Sequence, residues 1–283
     1  MLREDIVIRD PFLFAENGTG YLVGTTDETC WQGKAAGFLG YRTRDLVHFE
    51  GPFSLFEASR GFWADENFWA PELHAYGGKY YLFASFKRQG KPRASQALVS
   101  DSPFGKYTPA AKPFTPAQWN CLDATLYLEN GIPYTVFCRE WVDCSDGEMY
   151  LGRLNASFDG LIGKPQLLFR ASEAEWTVPH NGKDYITDGP FIYPLKSGKL
   201  LMLWSSMGKK GYALGSAVSE NGIKGPWKQH KTPLFEENGG HGMAFFFMGK
   251  TYVALHCPNQ PRGSERPVFY EAEEREDELV LKK

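Results

Sequence analysis

Five times along the chain a short apolar strand, a tight turn carrying Gly or Asn, and a second apolar strand recur, and this repeat restricts the fold more than any other feature. The segments are DPFLFAENGTGYLVGTT from residue 10, PELHAYGGKYYLFAS from 71, DATLYLENGIPYTVFC from 123, DGPFIYPLKSGKLLMLWSS from 188 and HGMAFFFMGKTYVALH from 241. Each reads as a β-hairpin. Anchored on Asp10, Glu72, Asp123, Asp188 and His241, the spacings are 62, 51, 65 and 53 residues, the length of a four-stranded propeller blade with variable loops. Between the hairpins, YRTRDLVHFEGP, LVSDSPFGKYTP, GRLNASFDGLIGKP and GSAVSENGIKGPWKQH each run from a strand through a turn into another strand and supply third and fourth strands. Segments of helical periodicity are scarce. The expectation is an all-β, five-bladed β-propeller with four-stranded antiparallel blades, one unit over 1–283. Its 42% hydrophobic and 15% aromatic residues suffice for one sizeable core.

In a propeller the first strand of each blade lines the central channel, so residues heading those strands meet although they are distant in sequence. Here they are four carboxylates and an imidazole. Any one Asp alone could simply cap a turn; recurrence at one repeat position argues for a shared purpose. Packed carboxylates raise one another's pKa, a cost kept where proton transfer or cation binding uses it. Glycoside hydrolysis needs such a set: an acid for the departing oxygen, a carboxylate that activates water or attacks the sugar, and a third that tunes the acid.

On these residues the chain resembles glycoside hydrolase family 43, over nearly its whole length. The resemblance is carried by Arg9-Asp10-Pro11, Trp69-Ala70-Pro71-Glu72 with Lys79-Tyr80-Tyr81-Leu82, Leu122-Asp123, Thr187-Asp188-Gly189-Pro190 and Gly240-His241-Gly242. It implies a pentose-releasing enzyme, an exo-acting α-L-arabinofuranosidase or β-D-xylosidase on plant-type oligosaccharides, working with inversion. It makes Asp10 the general base and Asp123 the auxiliary carboxylate. His241 would lie on the axis beneath the sugar, near a calcium or sodium ion held through water; the chemistry itself requires no cofactor. Where relatives place Glu before Gly-Pro as the acid, this chain has Asp188, one methylene shorter. Asp188 acting in a tighter site, another carboxylate (Glu140, Glu148 or Glu173) acting instead, and a propeller that binds sugar without cleaving it all remain open, as does a retaining, fructoside-type hydrolase.

Sugar rings stack on aromatic faces while their hydroxyls take polar partners. Trp31, Phe68 and Trp69 are the expected platform, with Glu72, Arg139, Glu140 and His241 as further substrate contacts. Arg9 and Arg266 are candidates to reach the pocket. Tyr80, Tyr81, Phe83, Phe245, Phe246 and Phe247 are expected to fill the spaces between blades, and Leu279 to Leu281 to form a strand that joins the chain termini in the last blade. A formal net charge of -3 offers no basic field for nucleic acid or anionic membrane. Five scattered cysteines without a CxxC pair argue against a disulfide framework or zinc ribbon. With no export signal visible, a cytoplasmic location is expected.

Overall fold

The computed structural model describes residues 1–27, 30–31 and 33–282. Each blade is one contiguous antiparallel sheet. Blade 1 holds β1 (Arg9–Glu16), β2 (Thr19–Thr25), β3 (Gly37–Thr43) and β4 (Phe49–Glu57); blade 2 holds β5 (Glu66–Tyr76), β6 (Lys79–Lys87), β7 (Ala94–Ser100) and β8 (Thr108–Pro109). Blade 3 holds β9 (Cys121–Glu129), β10 (Ile132–Arg139), β11 (Glu148–Arg153) and β12 (Gln166–Arg170), with a one-turn helix α1 (Trp141–Cys144) after β10. Blade 4 holds β13 (Asp188–Pro194), β14 (Leu200–Gly208), β15 (Gly211–Ser219) and β16 (Lys228–Gln229); blade 5 holds β17 (Gly240–Phe247), β18 (Lys250–Cys257), β19 (Arg266–Glu274) and β20 (Leu279–Leu281). The inner strands β1, β5, β9, β13 and β17 contact one another in a closed ring, giving the five-bladed β-propeller expected from the repeat.

The hairpin turns explain why the repeat was visible. Asn17-Gly18 and Asn130-Gly131 both carry consecutive positive φ angles, the turn geometry whose twist matches the flanking strands. Between blades the hydrophobic clusters are continuous: Phe38, Phe56, Phe68 and Phe86 fill one seam, and Met149, Phe169, Trp176 and Trp204 another. Phe83, Phe245 and Phe247 are buried as expected and Tyr80 and Tyr81 are half-buried, but Phe246 points outward at 65% exposure.

At the head of every inner strand the backbone turns left-handed, at Asp10 (φ 52), Ala70 (φ 45), Asp123 (φ 54), Gly189 (φ 50) and His241 (φ 51), and in β5 also at Asn67 (φ 47). The strand register slips at the same places, between Arg9 and Phe12, Trp69 and Glu72, Asp188 and Phe191, and Gly240 and Met243. These are β-bulges, which bend the strand and re-aim a side chain. They also refine the repeat register: Asp10, Asp123 and His241 are equivalent, whereas Asp188 stands one residue before its bulge and Glu72 two after.

Four bulge amides are caught by a side chain near the end of the second strand of the preceding blade. Ala70 N–H donates to Thr25 Oγ1 (2.8 Å), Asp123 N–H to Ser85 Oγ (2.8 Å), His241 N–H to Ser205 Oγ (2.8 Å) and Asp10 N–H to His256 Nδ1 (3.1 Å). In blade 3 the corresponding residue is Cys138, and Gly189 N–H turns instead to Asp123 Oδ2 at 3.0 Å.

Two further expectations differ from the structure. Leu279 to Leu281 do form the outermost strand of blade 5, but the termini share no blade: Met1 and Leu2 lie along blade 1 through Phe49 and His48, and all of blade 5 comes from the C-terminal segment. Phe68 is fully buried, its ring 4.9 Å from that of Phe86. It cannot be a sugar platform: successive strand residues face opposite sides, so with Phe68 in the seam it is Trp69 that lines the pocket. Phe68→Ala is therefore expected to cost about 3–5 kcal/mol of stability in urea denaturation while leaving the KM of the folded fraction unchanged; a raised KM without destabilisation would contradict the core placement.

Candidate active site

The bulges deliver their side chains to a pocket of about 480 Å³ at the channel mouth, lined among others by Asp10, Asp123, Asp188 and His241. A larger groove of about 730 Å³ runs along outer strands of blades 4 and 5 past Phe235 and Tyr270, but none of these four residues lines it. His241 Nδ1 is 3.2 Å from Asp10 Oδ1 and 3.9 Å from Asp123 Oδ2. Asp10 Oδ2 also accepts from Thr25 Oγ1 at 2.6 Å, and Asp188 Oδ2 accepts from the Tyr212 hydroxyl at 3.0 Å.

Their environments separate the three acids. Burial opposes ionisation of Asp10, but His241, Arg9 and the hydrogen bond from Thr25 outweigh it and hold its pKa below the usual value. Asp123 is raised by burial, which the attraction of His241 does not offset, and Asp188 and Asp10 add repulsion. Burial raises Asp188 as well, against the pull of His241 and the Tyr212 hydrogen bond. For His241, burial disfavours the cation, yet Asp10, Asp123 and Asp188 together raise its pKa. His256 is the opposite case: burial and then Arg9 depress it to about 3. It stays neutral, with Nδ1 accepting from the Asp10 amide and Nε2 placed to donate to Asn259 Oδ1 at 3.1 Å.

Two arginines stack against tryptophans in the wall. Arg9 lies 4.6 Å from the Trp31 ring centroid and bonds Glu265 (2.9 Å) and Asn259 Oδ1 (2.7 Å). Arg93 lies 3.8 Å from the Trp69 ring and bonds Glu140 Oε1 at 3.1 Å through Nε. The two tryptophans meet edge to face at 5.3 Å. Trp31, Trp69, Glu140 and His241 thus line the pocket as anticipated.

Other expected contacts lie elsewhere. Glu72 bonds His74 Nε2 at 2.9 Å and borders a small cavity of about 10 Å³ deeper on the axis, not the main pocket. Arg139 stacks on Trp119 and pairs with Glu148 at 3.2 Å, outside the pocket. Glu148 is also bound by Arg170, Glu173 accepts from the Arg170 amide, and Arg266 bonds the Glu4 carbonyl; none of the three lines the pocket. As to metal, the described residues contain no group of three or more His, Cys, Asp or Glu able to hold an ion, and His241 spends Nδ1 on Asp10. The sequence reading missed Arg93, His180, Tyr212 and Asn259, all pocket-lining. They come from second-to-third-strand turns and loops, where no repeat marks them.

Residues 5–270 match the family model described as glycosyl hydrolases family 43. The chain is 38% identical to an endo-arabinase from Bacteroides thetaiotaomicron VPI-5482, with a TM-score of 0.89 and 97% of each chain covered. A thermostable family-43 glycoside hydrolase, 22% identical, shares the fold with a TM-score of 0.83 over 98% of this chain and 93% of that one. Alpha-L-arabinofuranosidase B of Pyricularia oryzae is 24% identical over 185 residues, 60% of this chain. The match spans 36% of that relative's length.

Close packing at the axis gives a direct check of this geometry. A Cβ on Gly189 would lie 2.7 Å from the His241 ring, at φ +50. Gly189→Ala is expected to cost about 2–4 kcal/mol from backbone strain and overpacking, read as a lowered urea midpoint; an unchanged midpoint would contradict the contact.

Proposed function

This chain belongs to glycosyl hydrolase family 43, and on that basis we propose that it hydrolyses glycosidic bonds of pentose residues in plant-type oligosaccharides, with arabinofuranosyl bonds preferred over xylosyl ones and with inversion at the anomeric carbon. The observation that carries this reading is the convergence of Asp10, Asp123 and Asp188 on one pocket, in surroundings that lower the pKa of Asp10 and raise that of Asp188. Pairs of acids whose environments push them apart are the signature of acid and base roles. The preference for arabinose rests on the likeness to the Bacteroides thetaiotaomicron endo-arabinase. Cleavage inside an arabinan chain, as that protein's name says of it, would release oligomers, and terminal cleavage would release monosaccharide.

In the mechanism, the sugar packs against the sides of Trp69 and Trp31 left free by the Arg93 and Arg9 guanidinium groups. Asp188 donates its proton to the glycosidic oxygen as the C–O bond breaks. Asp10 takes a proton from the water whose oxygen attacks the anomeric carbon from the opposite face. One proton leaves Asp188 with the departing alcohol, one arrives on Asp10, and exchange with solvent resets both. Asp123 has its Oδ2 fixed by the amide of Gly189, the residue after the acid, and so holds the backbone that carries Asp188; burial raises Asp188 itself, with repulsion from Asp10 and Glu140 added. Glu140 is held in an ion pair with Arg93, and the acid role is assigned to Asp188. The cavity next to His241 is about 10 Å³, roughly one water-sized space, and does not fit a hard cation with the six or more oxygen ligands it takes; no proton transfer depends on such an ion.

Asp10→Asn is expected to lower kcat about 10²- to 10⁴-fold on every substrate, whereas Asp188→Asn should spare 4-nitrophenyl α-L-arabinofuranoside and disable natural arabino-oligosaccharides, whose leaving group needs protonation. Equal losses on both substrates would remove Asp188 from the acid role, and sugar binding without any turnover by the unmodified protein would favour a lectin-like propeller. Proton NMR of the first-formed product should show the inverted anomer; retention would point to a covalent intermediate. Because the acid must be protonated, kcat/KM should fall as pH rises through a point above the usual aspartate value of about 3.9. Because the base must be ionised, the acid limb should lie below that value.

A further inference from the structure

We propose that Tyr212 is a positioning residue for Asp188: its hydroxyl holds one carboxyl oxygen so that the other presents its proton to the glycosidic oxygen. The inference rests on Asp188 being the acid, as proposed above. A side chain one methylene shorter than glutamate withdraws its carboxyl by about 1.5 Å, and proton transfer tolerates little misplacement. A shortened acid therefore needs its remaining torsions fixed, and the surroundings of Tyr212 supply a rigid anchor.

Tyr212 follows the tight β14–β15 turn, at whose end Gly211 has φ +111. It is 4% exposed, and its hydroxyl, 3.0 Å from Asp188 Oδ2, has no other protein partner among the described residues. One face of the ring stacks on His256 at 5.6 Å and 19°. That imidazole is itself pinned at both nitrogens, by the Asp10 amide and by Asn259 Oδ1. The ring also packs against the backbone of blade 5, where a Cβ on Gly240 would fall 2.8 Å from Tyr212 Cε1; only glycine leaves room for it. The acid is thereby tied to the strand of the base through two stacked rings. A buried phenol merely satisfying its hydroxyl would need none of this registration.

The test is Tyr212→Phe, which deletes the hydroxyl and keeps the stack, compared with Asp188→Asn and the double variant on 4-nitrophenyl α-L-arabinofuranoside and on an arabino-oligosaccharide. Expected for Tyr212→Phe is a loss of about 10- to 100-fold in kcat on the oligosaccharide, less than about threefold on the aryl glycoside, and unchanged KM. The double variant should be no slower than Asp188→Asn alone. Equal losses on the two substrates, multiplying losses in the double variant, or unaltered kinetics of Tyr212→Phe beside the expected Asp188→Asn defect would overturn the role of Tyr212 alone. An Asp188→Asn variant that shows no leaving-group dependence would overturn the acid assignment and this inference with it.

Discussion

A ring of hydrogen bonds from bulge amides to neighbouring side chains holds the channel mouth together, and the site depends on it. Left-handed backbone at non-glycine residues costs of order 1–3 kcal/mol each, and here Asp10, Ala70, Asp123 and His241 all adopt it. The strain persists because each amide is claimed across the seam by Thr25, Ser85, Ser205 or His256. The same bonds that register one blade on the next aim the functional side chains inward. Blade 3 breaks the pattern with Cys138, and the amide left over in blade 4 binds the Asp123 carboxylate. The residue proposed as the auxiliary acid thus also makes a structural contact.

The electrostatics follow from that crowding. Three buried aspartates cannot all ionise cheaply, and His241 is central to all three, 3.2 Å from the nearest. Asp10, with Arg9 and a hydroxyl donor besides, keeps its charge; Asp123 and Asp188, less well supplied, hold protons to higher pH. Neutral His256 contributes shape rather than charge, fixing the Asp10 amide on one side and the Tyr212 ring on the other.

The hairpins and the inner-strand heads were legible in the sequence because turn chemistry repeats: Asn-Gly or Gly-Gly between apolar runs fixes register, and register fixes which residues reach the axis. Asp10, Asp123 and His241 were found for that reason. The bulges were not legible, since one extra residue leaves no mark in a pattern of alternation. They account for the displacement of Glu72 below the pocket; Phe68 is core because plain alternation turns it away from the side that Trp69 presents to the channel. Arg139 looked like a wall residue because it ends an inner-facing hairpin, but Glu148 and Trp119 hold it on the outside. Arg93 and Tyr212 sit beside turns whose direction only the assembled blades reveal.

The most direct measurement of this arrangement is a carboxyl carbon NMR titration of the three axial aspartates. Asp10 should ionise below the ordinary aspartate range, with Asp123 and Asp188 well above it and the order collapsing in His241→Ala. Three carboxyls titrating together near about 3.9, indifferent to His241, would mean that they do not share one pocket and would contradict the acid and base assignments at their root.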